Sequence, residues 1–401
     1  MLRNTPLKVK IAGAGPSGLT AAICLAKAGY EVEISEVRED VGARFIGDFQ
    51  VLENGSGHLD FLEWLQKIGI SINFFTRPVR EATLFDYRLK AKRVRSHDPF
   101  GYFIHRGEAP AVSGNRGLVE PVGENATRSP VMSLDHGLRE QALSVGVKIH
   151  YQLSANLAEV DIVATGPSSA DALAKEMTFL TNSLDKVWVL FDMKVAPGGY
   201  AYLFVLDGVA TFGCAITRDL PQINRYFDMA MKRLQEIDPF SIADQKTGYS
   251  FMDFSLKGSA MSNQKLYVGE AGGFQDYLFG LGLRYAMITG YCSAMSLIEN
   301  KNYDRIWREQ LGDSQEVSLV NRALYEFGGN MGLSMFVQQT DGKDFKEYLA
   351  SWHKPALWKM RLLPIVKWVW QRKKTSSPCK HPFPRHWCRE GKRLPQKLGP
   401  T

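Results

Sequence analysis

The sequence predicts an α/β protein: an open sheet entered through a glycine-rich turn, an inserted mixed or antiparallel sheet, and a helical C-terminal segment. Three observations carry this. Residues 9–36 read strand, glycine-rich turn, helix, strand. Residues 186–217 alternate through three aromatic-rich runs, broken at Gly198-Gly199 and at Asp207-Gly208. Residues 302–374 show helical spacing instead of alternation.

The first element is VKIAGAGPSGLTAAICLAKAGYEVEISE. Lys8 to Ile11 reads as a buried strand. Leu19 to Ala28 reads as an alanine-rich helix ended by Gly29, and Glu31 to Ser35 as a second strand closing on Glu36. The turn between strand and helix, Gly13-Ala14-Gly15-Pro16-Ser17-Gly18, is a G-x-G-x-x-G run. In such a run the first glycine permits the tight turn. The second lets the backbone approach a pyrophosphate, and the third lets the helix pack on the strand. The helix amino end offers free N–H groups and the positive end of its dipole. Glu36 lies eighteen residues after Gly18, near the ~20 expected for an acid that hydrogen-bonds a ribose. The pattern is Rossmann-like, with Gly13, Gly15, Pro16, Ser17, Gly18 and Glu36 as cofactor-binding candidates.

The chain has 401 residues, 45% hydrophobic and 23% charged, enough for two or three globular domains. Five scattered cysteines suggest a reduced, cytoplasmic setting. No apolar run reaches the ~18 residues of a membrane span. The N-terminus leads straight into a strand, so no signal peptide is expected. The net charge of +7 is uneven: Lys354 to Thr401 hold thirteen Lys and Arg against one acid, Glu390, which leaves −5 on residues 1–353.

In chain order, His58 to Ile68 is spaced as a helix with Leu59, Leu62, Leu65 and Ile68 on one side. Phe85 to Ser96 alternates partly as a strand with basic residues outward. Ser133 to Val145 reads as a helix and Val147 to Tyr151 as a strand, the third segment of the first sheet after a long insertion. Glu159 to Gly166 is a short buried strand ending in Ala164-Thr165-Gly166, at the carboxyl end where ligands sit in open α/β sheets. Asp219 to Ile237 is an amphipathic helix with Asp219 as its expected cap. Asn302 to Phe327 and Lys343 to Ser351 read as further helices.

The second strong signal is KLYVGEAGGFQDYLFGLGLRYAMITGYCSA, residues 265–294. Here Leu266 to Val268 is a strand, Gly269-Glu270-Ala271-Gly272 a turn, and Gly280-Leu281-Gly282 opens a second helix. The physics repeats the first site: a strand end supplies a carboxylate, and a helix amino end faces an anionic group.

These two blocks together resemble the FAD-dependent group of geranylgeranyl reductases, flavin aromatic hydroxylases and flavin halogenases, within the glutathione-reductase-like fold. The resemblance spans roughly residues 8–300. It implies a discontinuous FAD domain (1–75, 130–170, 260–300), a substrate domain (76–129, 171–259), C-terminal helices (301–352) and a basic tail (353–401). It further implies FAD contacts from Arg44, from Arg139 or Gln141, and from Glu270, Gly280, Leu281 and Gly282. Glu270 stands where these relatives carry Asp, and Ala164-Thr165-Gly166 stands where the hydroxylases carry Asp-Gly. Tyr200-Ala201-Tyr202-Leu203-Phe204-Val205 is similar to the aromatic tunnel strand of geranylgeranyl reductases. It makes Tyr200, Tyr202 and Phe204 substrate-binding candidates, with Arg284 meeting an anionic head group. No catalytic residue and no metal site is singled out. The halogenase W-x-W-x-I-P signature is not visible.

The reading that follows is hydride transfer from reduced flavin to a carbon–carbon double bond of an apolar, prenyl or lipid-like substrate, with NAD(P)H or another donor as reductant. A flavin monooxygenase, and a non-redox cyclase or degenerate FAD-binding protein, are the alternatives. Residues 357–374 interleave tryptophan and aliphatic side chains with Lys and Arg, which suits a membrane–water interface, a helix docked on the protein and a nucleic-acid contact being the alternatives, and Pro364 is expected to kink a helix there. Residues 375–401, with five prolines, read as disordered. Cys379, His381, His386 and Cys388 match no strong zinc spacing.

Overall fold

A computed structural model describes residues 7–55, 59–108, 132–167 and 170–376. The chain begins β1 (Lys8–Ala12), α1 (Pro16–Lys27), β2 (Glu31–Ser35), β3 (Ile46–Glu53) and α2 (Phe61–Lys67). It continues with β4 (Arg77–Val79), β5 (Glu81–Phe85), β6 (Ala91–Arg95), β7 (Gly101–Gly107), α3 (Leu134–Ser144), β8 (Lys148–His150) and β9 (Ile162–Val163). The inserted sheet and its helix follow as β10 (Ala172–Leu180), β11 (Lys186–Leu190), β12 (Tyr200–Leu206), β13 (Val209–Ile216), α4 (Ile223–Gln235) and β14 (Ala243–Met252). Last come β15 (Met261–Ser262), β16 (Lys265–Tyr267), α5 (Leu283–Glu299), α6 (Tyr303–Leu311), α7 (Ser314–Gln338), α8 (Phe345–His353) and α9 (Leu357–Ser376).

Three sheets result. The first has the order β15-β16-β9-β1-β2-β8, parallel except for β15 at one edge. Its strands are short, and Val9, Ile11, Val32, Ile34 and Ile162 are buried in one cluster with side chains of the helices and of β3 and β7, as parallel strands require. The second has the order β14-β10-β13-β12-β11-β5-β6 and is antiparallel except at β11–β5. Asp207 and Gly208, both at positive φ, make the two-residue hairpin turn between β12 and β13. Helix α4 covers this sheet with Ile223, Phe227, Ala230 and Leu234, spaced four, three and four apart. A small antiparallel sheet, β3-β7-β4, is tied to the second where Phe49 N donates to Thr211 Oγ1 at 2.9 Å.

Several expectations are corrected. The helix at 58–68 is shorter, starting at Phe61 behind the cap Asp60; His58 lies outside the described residues. Asp219 does not cap α4: it sits at φ +52°, its carboxylate accepts from Tyr226 Oη at 3.2 Å, and a 3₁₀ turn intervenes. The single helix expected over 302–327 is two, because Gly312 at φ +53° stops α6 and Ser314 starts α7. Helix α9 runs on through Pro364. Strands β10 and β14 were not foreseen; the sequence shows no clean alternation there. Residues 377–401, including Cys379, His381, His386 and Cys388, lie outside the described residues.

Helices α1 and α5 pack closely because neither carries bulk at the crossing. A Cβ on Gly290 would lie 2.3 Å from the Ser17 carbonyl oxygen. Gly290→Val therefore forces the helices apart and is expected to lower stability by about 1–3 kcal/mol, read as a fall in the thermal unfolding midpoint.

Candidate functional site

The carboxyl end of β1 opens into residues 13–18. Gly13 has φ +102°, its N–H donates to Ser35 O at 2.8 Å, and a Cβ there would lie 2.4 Å from Ala164 O. A Cβ on Gly18 would lie 2.1 Å from Gly13 O. Both glycines are therefore fixed by backbone packing. Gly15 differs: its φ of −79° suits any residue, and nothing lies within 4 Å of where its Cβ would be. Pro16 occupies the first turn of α1, and no side chain caps that helix, so its amino end is open to a ligand. Glu36 holds the loop, accepting from Ala14 N at 2.8 Å and from Arg38 N at 3.0 Å.

The amino end of α5 is likewise without a side-chain cap, with Gly282 as its first flanking residue. Gln275 braces the turn before it, its Nε2 donating to Gly280 O at 2.9 Å. Its Oε1 is buried and has no hydrogen-bond partner among the described residues. Such an atom in a cavity wall awaits a donor. Asp276 ties the same turn together, accepting from Phe279 N at 3.0 Å, from Ser318 Oγ, and from His353 Nε2 at 3.4 Å. Burial alone would raise the Asp276 pKa; the bonds from His353, Ser318 and Phe279 N outweigh burial and hold it below the usual carboxylate range.

Both amino ends open on one cavity of about 760 Å³. Gly13, Gly15, Pro16, Ser17, Glu36, Arg44, Glu270, Gly280, Leu281 and Gly282 line it. So do Tyr200, Tyr202 and Phe204. Gly18 stands one layer behind. Arg139 is not in the lining; its Nη1 donates to Asp40 Oδ2 at 2.8 Å, and Asp40 is. Gln141 is outside it too, bonded to Ser71 and Asn73. Nor does Arg284 reach it: its guanidinium lies 6.0 Å from the Phe61 ring.

The middle of the cavity carries charge. Arg106 and Asp135, both buried, form a two-pronged pair at 2.9 Å on each prong, and Gly107 N adds a third bond to Asp135. Phe45 lies under both Arg106 and Arg44, at 4.0 and 4.5 Å from ring centroid to guanidinium carbon. Arg44 itself makes no ion pair within 4 Å among the described residues, so a half-buried cation faces the cavity. Burial pushes the Glu270 carboxyl up to about 7, and the charge of Arg44 opposes that rise.

The far end is aromatic with an acidic floor. Tyr202 and Phe204 stack at 4.7 Å, and Tyr200 Oη donates to Phe279 O at 2.7 Å. Tyr202 can lie across the sheet because the residue paired with it is Gly213, whose Cβ would collide with its ring. Glu176 on β10 lines the cavity while only 6% exposed, and Ser250 Oγ donates to its Oε2 at 3.2 Å. Asp48 is buried nearby, held by Gln50 Nε2 at 2.8 Å. Burial first, then the repulsion of Asp48, pushes the Glu176 carboxyl up to about 8. Sequence reasoning missed Gln50, Arg106, Asp135, Glu176 and Gln275. An arginine within the wholly buried strand GYFIHRG was the one legible signal.

The comparisons with known proteins fit this geometry. Residues 11–49 match the model of a NAD(P)-binding Rossmann-like domain. A geranylgeranyl bacteriochlorophyll reductase-like protein from Thermoplasma acidophilum superposes with TM-score 0.63 at 15% identity, over 92% of this chain and 100% of that one. A flavin-dependent brominase superposes with TM-score 0.60 at 13% identity, over 92% and 100%. The fold is that of the FAD-dependent oxidoreductases. An L-amino acid oxidase from Cerastes cerastes is 34% identical over 104 residues, 23% of this chain and 19% of that protein. The chain thus aligns with about a fifth of the length of that curated relative.

Two measurements check the site. Gly15→Ala is expected to keep the thermal midpoint but weaken FAD uptake at least about tenfold, roughly 1.4 kcal/mol, whereas Gly13→Ala loses stability as well. Flavin fluorescence quenching and thermal unfolding separate the two. The second measurement concerns Glu176. Its folded pKa stands above that of an exposed carboxyl, so the native state binds the proton more tightly than the unfolded chain. Stability is then greatest below the unfolded value and falls as pH rises toward about 8. Glu176→Gln is expected to flatten the fall in unfolding midpoint between about pH 5 and about pH 8.

Proposed function

We propose that the protein binds FAD and reduces a carbon–carbon double bond in an apolar substrate. The observation that carries this reading is the single cavity. It joins two uncapped helix amino ends to an aromatic wall, with the buried Glu176 carboxyl at the aromatic end. The residues present fit the cofactor. Gly15 leaves room for a pyrophosphate at α1, and Glu36 suits a free ribose diol. Arg44 adds positive charge, and Gln275 Oε1 offers an acceptor to a ring N–H. The open end of α5 favours negative charge on the flavin O2 edge. Bound flavin supplies hydride-transfer chemistry, drawn from NAD(P)H or another donor.

The chain's own part is positioning and proton supply. Tyr200, Tyr202 and Phe204 bind an apolar chain and exclude water. Reduction of a double bond takes one hydride and one proton, on adjacent carbons. Burial and the neighbouring Asp48 push the Glu176 carboxyl up to about 8, which favours its protonated form, and Ser250 Oγ lies 3.2 Å from its Oε2. We assign Glu176 as the proton donor. General acids of this kind contribute about 10²–10⁴-fold.

Incubation with reduced cofactor and a polyprenyl lipid is expected to give a product two mass units heavier per bond. Glu176→Gln is expected to slow that reaction about 10²-fold or more while FAD uptake stays unchanged. Product isomerised at unchanged mass, or an unaffected Glu176→Gln rate, overturns this reading. A second reading, a flavin monooxygenase, draws on the similar likeness to the brominase and on polar side chains in the substrate end. It predicts substrate-dependent O₂ uptake and an added oxygen atom.

A further inference from the structure

Helix α9 is apolar on two adjacent faces, about 100° apart around its axis. Its inner face is accounted for. Leu363 is buried, and Val366 and Trp370 pack in the cluster of Phe254, Tyr277 and Leu319. Trp370 Nε1 donates to Phe254 O at 3.1 Å. Lys359 donates to Trp352 O, and Lys367 Nζ pairs with Glu316 at 2.5 Å. These inner positions, 359, 363, 366 and 370, follow helical spacing of four, three and four.

The outer face repeats the same spacing at 358, 362, 365 and 369. Trp358 is 51% exposed, Leu362 37%, Ile365 61% and Val369 50%. Leu357, 82% exposed, adds apolar surface on the neighbouring side of the helix. A surface helix normally turns polar side chains outward, and a contiguous apolar stripe on a surface marks something that covers it. Exposed Lys354 and Arg361 sit beside this stripe. Arg372, Lys373 and Lys374 follow it in sequence, inside a segment that carries thirteen basic residues against one acid.

We propose that this face of α9 docks on an anionic lipid bilayer. Charge selects the occupant. A second copy would bring the same excess of positive charge to the same face, and the two would repel. A bilayer of anionic lipid supplies both partners the face needs, acyl chains for the aliphatic stripe and headgroup charge for the flanking cations. Trp358 suits the boundary between them. The helix would lie in the interface plane: no helix among the described residues is long and apolar enough to cross a membrane. This proposal does not depend on the flavin reading.

The test is flotation of the full chain with two kinds of vesicle, pure phosphatidylcholine and an equal mixture with phosphatidylglycerol. Flotation with the mixture alone, weakened by salt, and a blue shift of tryptophan emission on binding are expected. Ile365→Glu combined with Val369→Glu should lower the bound fraction about tenfold or more, since each swap places a carboxylate in the interface. Both side chains lie outside the core, so thermal midpoint and FAD uptake should not change. Several results overturn the proposal: equal flotation with both vesicles, no flotation, or undiminished flotation of the double variant. So does a concentration-dependent dimer in light scattering that the double variant abolishes.

Discussion

The structure depends on the close crossing of α1 and α5. Two helix amino ends can serve one ligand only if the helices approach within backbone distance, and this happens where Gly290 meets Ser17. The crossing also fixes the sheet beneath it. Gly13 is pressed on Ala164, Gly18 on Gly13, and Gly269 N donates to Thr289 Oγ1 of α5 at 2.9 Å. One set of contacts therefore determines both the helix packing and the width of the cavity mouth.

From that mouth the cavity changes character along its length. At the entry the positive potential comes from backbone, which cannot titrate and adds no side-chain bulk. In the middle it comes from the guanidinium groups of Arg44 and Arg106, fixed by Phe45 and Asp135. At the far end the sign reverses, with Glu176 and Asp48 held in an apolar setting that favours their neutral forms. A phosphate-bearing group belongs at one end and an uncharged one at the other. The polarity of the cavity thus orients whatever occupies it.

Much of this was legible in the sequence where a backbone conformation demanded a particular residue. Gly13 at positive φ, Gly18 and the 280–282 turn announce themselves, because few alternatives fit. The hairpin at Asp207-Gly208 was legible for the same reason. What escaped depends on contacts between strands far apart in sequence. Glu176 looks like any charged residue of the sequence until β10 pairs between β14 and β13 and β3 brings Asp48 near it. Arg139 looks like a cofactor ligand until Asp40 takes its guanidinium. Asp219 looks like a helix cap, yet its left-handed backbone sends the side chain to Tyr226. Spacing along the chain cannot show which charges meet across it.

The proposed site rests on both amino ends contacting one flavin dinucleotide. A crystal structure of the chain with FAD tests it directly. The pyrophosphate is expected within hydrogen-bond reach of the backbone N–H groups of Gly15 and Ser17, Pro16 having none, and the flavin ring beside Gly282 and Gln275. FAD held at α1 with its ring turned away from α5, or density at neither helix end in protein soaked with FAD, would contradict it.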